Sequence, residues 1–257
     1  MMQSRKNLQI VLNIRKNVGV LSKKKYKREE ILATPRLNNF DSTRADLYSL
    51  DPFDGMDSLD RFNGMLNILR LNETCDENEL VHMDRNVLEN NEHYQQIVVG
   101  LIIRCDKRIL LLKCINGDMS GNYTLIQGHV KYMPFDHSKS FYDILVDNIN
   151  REFSEEIDLN YKLLESRFDH LQIKRLLKPK LKFITFNSYD KSKISYYHMG
   201  YIFEIDLTKY PKMFKKEYFR SGEPDKNKVE ILSVYDYGKY KFDNWLQEIA
   251  SYYRYAR

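Results

Sequence analysis

The pattern of hydrophobic and polar positions changes character at Tyr94. Before it, "LQIVLNI" (residues 8–14) is a short apolar run that predicts a strand. From Leu37 to about Asn90 the pattern is irregular. "LDPFDGMDSLDRFNGM" carries Asp, Gly and Pro at the density of turns. "CDENELVHMDRNVLENNEHY" is polar and acidic with weak periodicity. Residues 1–90 therefore read as an N-terminal extension with some structure and no assigned fold, and residues 91–257 as the main domain. There "QQIVVGLIIRC" and "RILLLKCI" are apolar and β-branched, and Asp106–Lys107 between them predicts a hairpin turn. "NGDMSGN" reads as a loop and "YTLIQGHV" as one short strand ending at a glycine.

From Ser138 to Ile157 the period lengthens to that of a helix. Phe141, Ile144, Leu145, Asn148, Ile149 and Phe153 trace a mostly apolar stripe. "LKFITFNSY", "ISYYHMGYIFEIDL" and "VEILSVYDY" predict further strands, and "NWLQEIASYYRYA" predicts a closing helix. Strands around one central helix, with a second helix at the end, predict an α/β sandwich with a mixed sheet.

Composition narrows the function classes. The 257 residues are 42% hydrophobic and 13% aromatic, which favours a packed core over wholesale disorder. No apolar run is long enough to predict a membrane span, and no signal-peptide pattern opens the chain. Cys75, Cys105 and Cys114 form no CxxC pair, so reduced thiols in the cytoplasm are the simplest reading. The net charge of +5 is too modest to imply nucleic-acid binding by itself. Its distribution says more: nine Lys or Arg residues and no acid precede Glu29, densest in "KKKYKR". That basic arm, residues 1–28, is either a solvated segment or a contact for RNA or another polyphosphate.

Against this basic background the acids gather in "NINREFSEEIDLN", residues 148–160. Glu152 and Glu156 stand one turn apart, and Glu155 lies four residues after Arg151. Like charges at that spacing cost roughly 0.2–0.5 kcal/mol per pair. The negative end of the helix macrodipole makes the placement worse. A solvated charged face would tolerate this. A divalent cation would offset far more, because Mg²⁺ takes oxygen ligands and bridges carboxylates to substrate phosphates.

A glycine at the end of a strand, a loop, and a helix carrying Arg151, Glu152, Phe153, Glu155, Glu156 and then Leu159 resemble the Nudix box. The likeness extends over about Tyr94 to the C-terminus, and the branch it most resembles is that of less studied predicted phosphoesterases. Asp143 stands where the family has its first glutamate, and Asp158 where it has its last glycine. Gly128 is fifteen residues before Asp143 instead of six, so the loop is nine residues longer.

The resemblance implies hydrolysis of a nucleoside diphosphate linked to a moiety X, with Mg²⁺ or Mn²⁺ as cofactor. Phosphoanhydride cleavage needs charge neutralised on the nonbridging oxygens and a water aimed in line, which bound metal provides. On that reading Glu152 and Glu156 are metal ligands, and Glu155 is a third ligand or the base. Arg151 orients a glutamate. Gly128 admits close backbone approach and offers its carbonyl. Glu223, Asp225 and Glu230 are candidates for a base outside the box. His129 either touches a phosphate or is a loop histidine with no role. His198 reads as a half-buried structural residue and Trp245 as a packing residue. Tyr196, Tyr197 and Tyr201 suit either base stacking or simple strand propensity. The alternative to a hydrolase is a catalytically weak Nudix-fold module that senses a nucleotide.

Overall fold

The computed structural model describes residues 30–35, 47–49, 80–89, 91, 93–117, 119–131, 140–185, 197–242 and 244–255. The strand expected at residues 8–14, the basic arm up to Arg28, Cys75 and Tyr196 lie outside the described residues.

The strands are β1 (Glu30–Pro35), β2 (Leu47–Ser49), β3 (Val81–Asp84), β4 (Tyr94–Cys105), β5 (Arg108–Cys114), β6 (Tyr123–Thr124), β7 (Ile126–His129), β8 (Ile157–Leu159), β9 (Lys180–Thr185), β10 (His198–Asp206), β11 (Phe219–Ser221) and β12 (Asn227–Ser233). The α-helices are α1 (Arg85–Leu88), α2 (Phe141–Glu156), α3 (Tyr161–Glu165), α4 (His170–Leu176) and α5 (Asn244–Tyr255).

The main sheet runs β12-β5-β4-β10-β9-β2. It is mixed: β4 and β10 are parallel, and the other pairs are antiparallel. β4 is buried along nearly its whole length because helices cover both faces of the sheet. On one face Val99, Leu101 and Ile103 pack with Phe141, Leu145 and Ile149 of α2. On the other, Val98 and Ile102 pack with Trp245, Leu246 and Ile249 of α5. Adjacent strand residues feed opposite cores because side chains alternate across the pleat. The result is the expected α/β/α sandwich. Three segments that precede residue 91 enter the same sheet: β1 pairs with both β3 and β4, and β2 pairs with β9.

Several elements differ from the sequence expectation. "YTLIQGHV" is two strands, since β6 pairs with β5 and β7 with β4. The β4–β5 hairpin is laddered only near its turn, at Ile103–Cys105, so the segment wedges into the open fork and changes partner at the buried Leu125. Gly128 consequently lies inside a strand. The strand expected to continue to Tyr237 stops at Ser233 and turns into a 3-10 helix, Val234–Lys239, which the Ser233 hydroxyl caps. Helices α3 and α4 were not expected. Each is short, and each is capped by an acceptor side chain, Asn160 and Asp169 respectively.

Candidate active site

Helix α2 presents the acidic residues because its apolar stripe is committed to the core. Phe141, Leu145, Asn148, Ile149 and Glu152 are its buried positions. Glu152 is the anomaly, a carboxyl 6% exposed on the core-facing side. Gly128 makes room for it: a Cβ at that glycine would stand 2.1 Å from the Glu152 carboxyl. Gly128 occurs in register with Val99 of β4, on the α2 side of the sheet. Burial pushes the Glu152 carboxyl above its ordinary range, against the pull of Arg151.

Glu156 lies one turn on, half-buried. Its Oε2 accepts a hydrogen bond from the Gln127 amide at 3.2 Å. Burial, and then the charges of Glu152, Glu223 and Glu155, raise its pKa to about 8. Glu155 is the exposed member, its side chain 51% accessible.

Arg151 holds the set together. It contacts Glu152 Oε1 at 2.5 Å and Glu155 Oε2 at 3.0 Å. It also donates to the His129 carbonyl and to Asn148 Oδ1, both at 3.2 Å. Asn148 is a participant that sequence reasoning placed only in the apolar stripe. It is 2% exposed, and its Oδ1 also accepts from the Lys131 amide at 3.1 Å. A polar residue within an apolar stripe was the available signal, because a buried amide needs partners.

The loop after β11 closes the other side. The Gly222 amide donates to the Glu156 carbonyl at 2.9 Å. A Cβ on Gly222 would stand 2.2 Å from the Glu155 carbonyl oxygen. This seats the neighbouring Glu223 where its charge reaches Glu156. Glu223 is paired with Lys226 at 2.6 Å.

The remaining candidates lie elsewhere. Asp143 is at the opposite end of α2, where it and Ser140 form a reciprocal capping box. Nine residues separate it from Glu152, about 13 Å along the axis. The His129 side chain follows Gly128 in the strand and so points to the α5 side, its ring 5.4 Å from that of His198. Burial, then the charges of Arg85, His198 and Lys131, lower its pKa to about 2, so it is neutral at ordinary pH. Glu230 accepts from the Tyr123 hydroxyl at 2.8 Å, and Tyr123 belongs to the α5-side core. Asp225 is exposed, and its backbone carbonyl accepts from Asn116. Tyr201 is fully buried against Phe141, which makes it a core residue and unavailable for base stacking.

No family model matches the chain, and no curated protein matches it in sequence. Solved structures do match. Tm1382, a presumed Nudix hydrolase, aligns over 87% of this chain and 97% of its own with a TM-score of 0.53 and 18% identity. The chain has the Nudix fold. A MutT Nudix hydrolase from Burkholderia pseudomallei covers 63% of this chain and 98% of its own at 16% identity, TM-score 0.37. The Nudix domain of Shewanella oneidensis NrtR, solved with ADP ribose, covers 67% and 97% at 11% identity, TM-score 0.36.

Within this Nudix fold the donor set suits a hard cation. Every candidate ligand is oxygen, and burial, with neighbouring carboxylates adding to it, raises the pKa of both Glu152 and Glu156. Among the described residues no group of three His, Cys, Asp or Glu side chains is already arranged as a metal cage. Arg151 supplies the positive charge instead, with its guanidinium between Glu152 and Glu155.

Proposed function

We propose that this chain is a divalent-metal-dependent Nudix hydrolase that cleaves a phosphoanhydride bond in a nucleoside diphosphate-linked substrate in the cytoplasm. The observation that carries this reading is Glu156. It is a half-buried carboxyl with its pKa raised to about 8 by burial and by three other glutamates. A surface selected only for solubility has no use for such an arrangement. On this reading Glu152 and Glu156, with Glu155 and the Gly128 carbonyl, hold Mg²⁺ or Mn²⁺. When bound, the metal neutralises phosphate oxygens and acidifies water.

The chain's own groups do the rest. Arg151 is a positioning residue that sets the rotamers of Glu152 and Glu155. Asn148 fixes Arg151 in turn. Glu223 is the best placed of the three candidates outside the box to take a proton from the attacking water, because it alone acts on Glu156. The Gly222 amide keeps that loop on the helix end.

One observation favours the alternative, a catalytically weak nucleotide-sensing module. Arg151 already occupies two of the three carboxylates assigned to the metal, Glu152 and Glu155. The deciding experiment is phosphate release from a panel of nucleoside diphosphate derivatives with Mg²⁺ and Mn²⁺, beside Glu156→Gln. Metal-dependent turnover that is lost in the variant supports the hydrolase. Nucleotide binding without turnover on any compound supports the sensor.

A further inference from the structure

The segment "KRLLKPKLKF", residues 174–183, holds five cations and no acid. It runs from the last turn of α4 into β9. Leu177, Pro179, Leu181 and Phe183 are buried, so the alternate positions face outward. There Lys178, Lys180 and Lys182 line a cavity of about 350 Å³, together with Arg175 of α4 and Arg104 of β4. Two acids share the lining, Glu204 and Asp206, and Arg104 holds both. Arg175, Lys178 and Lys180 are exposed and form no ion pair among the described residues. Uncompensated cations repel one another and attract an anion over roughly a Debye length, about 8–10 Å at ordinary salt.

A cationic stripe alone is commonly a solvated face. The rings beside this one set it apart. The Arg104 guanidinium lies 4.9 Å from the centre of the Tyr253 ring. The next two residues of α5, Arg254 and Tyr255, are exposed. The Arg254 guanidinium stands 5.5 Å from the Tyr255 ring and 5.7 Å from that of Tyr237. Tyr255 is left 74% exposed, a large ring facing solvent at the end of a helix. Cations interleaved with exposed rings are the surface on which single-stranded nucleic acids bind: the cations track phosphates and the rings stack on bases. An anionic lipid surface matches the cations and offers the rings nothing to stack on.

We propose that this face binds a single-stranded nucleic acid, with the phosphodiester backbone along Arg175, Lys178 and Lys180 and a base on Tyr255. The site is separate from the acidic cluster. Arg104 follows Val99, the strand neighbour of Gly128, by five residues of β4, roughly 17 Å along the strand. No residue of the cluster lines the cavity, so the binding does not depend on the hydrolase reading.

Fluorescence anisotropy of labelled oligouridylate and oligothymidylate, titrated with the full-length protein in chelator over a salt series, tests this. Binding of either strand supports the shared chemistry, and the tighter of the two names the source. Lys178→Gln/Lys180→Gln is expected to weaken binding about tenfold or more. It should also flatten the slope of log Kd against log salt by about 1.4, the value for two lost phosphate contacts. Tyr255→Ala is expected to weaken binding about tenfold with the slope unchanged, because stacking releases no counterions. Both variants alter exposed side chains, and thermal unfolding checks that they fold. Binding that neither variant weakens places the contact on the basic arm of residues 1–28 and overturns the proposal. So does an abasic strand that binds as tightly as the normal one, or the absence of binding at low salt. Retention on phosphatidylserine vesicles without affinity for either strand assigns the face to a membrane and overturns it too.

Discussion

Gly128 of β7 lies directly against the carboxyl of Glu152 on α2, so closely that a Cβ would stand 2.1 Å from it. The contact joins strand and helix at the one point where the core-facing side of α2 carries a charge. Gly128→Ala must therefore displace Glu152 or push the helix off the sheet. We expect a loss of roughly 1–3 kcal/mol in stability from overpacking. We also expect a fall in kcat of about a hundredfold from misplacement of the ligand. Urea unfolding and steady-state kinetics on one preparation check both. An active, fully stable alanine variant would mean that Glu152 is free to move and sets no geometry.

Glu156 predicts an unusual dependence of stability on pH. Its pKa in the folded chain, about 8, lies above the ordinary 4.5. The folded state therefore holds this proton more tightly than the unfolded one. The corresponding stabilisation is fully present below about pH 4.5 and is lost as pH rises through about 8. In chelator, the Tm difference between wild type and Glu156→Gln should shift against the wild type over that window. Mg²⁺ should restore the wild type at the alkaline end and leave the variant unmoved, since binding displaces the proton. A pH-independent difference would contradict the raised pKa.

Among the carboxyls considered as a base outside the box, Glu223 and Glu230 should behave differently. Glu223→Gln removes a charge that acts on Glu156, so the acid limb of the pH–rate profile should move to lower pH. If Glu223 is the base, kcat should fall roughly 10²–10⁴-fold. Glu230 is bonded to Tyr123 on the far side of the sheet, so Glu230→Gln should leave kcat unchanged. Parallel pH–rate profiles of the two variants make the comparison, and equal effects would remove Glu223 from the mechanism.

Asp143 occupies the position of an expected acidic site residue, yet its carboxylate accepts from the Ser140 amide at 3.2 Å and from the Ser140 hydroxyl at 2.7 Å. Asp143→Ala is expected to cost about 0.5–2 kcal/mol, as loss of a helix cap does, with kcat intact. Chemical denaturation beside an activity assay separates the two effects. A selective loss of metal affinity would return Asp143 to the site.

The sequence by itself determined what local periodicity and charge can encode. The continuous apolar, β-branched runs within residues 95–114 and the helical stripe from Phe141 to Phe153 specified β4, β5 and α2. The repulsive spacing of Glu152, Glu155 and Glu156 marked the acidic cluster before any fold was known. Only the tertiary structure decided which distant groups join it. Gly128 and Gly222 are small residues among several, and their close approach to α2 appears only when strand, loop and helix are packed. Glu230 looked as eligible as Glu223, and His129 stood as a weaker candidate beside Gly128, but strand alternation turns both to the opposite face. The change of partner at Leu125 was likewise illegible, because the hydrophobic pattern of a strand records burial and not the neighbour that provides it.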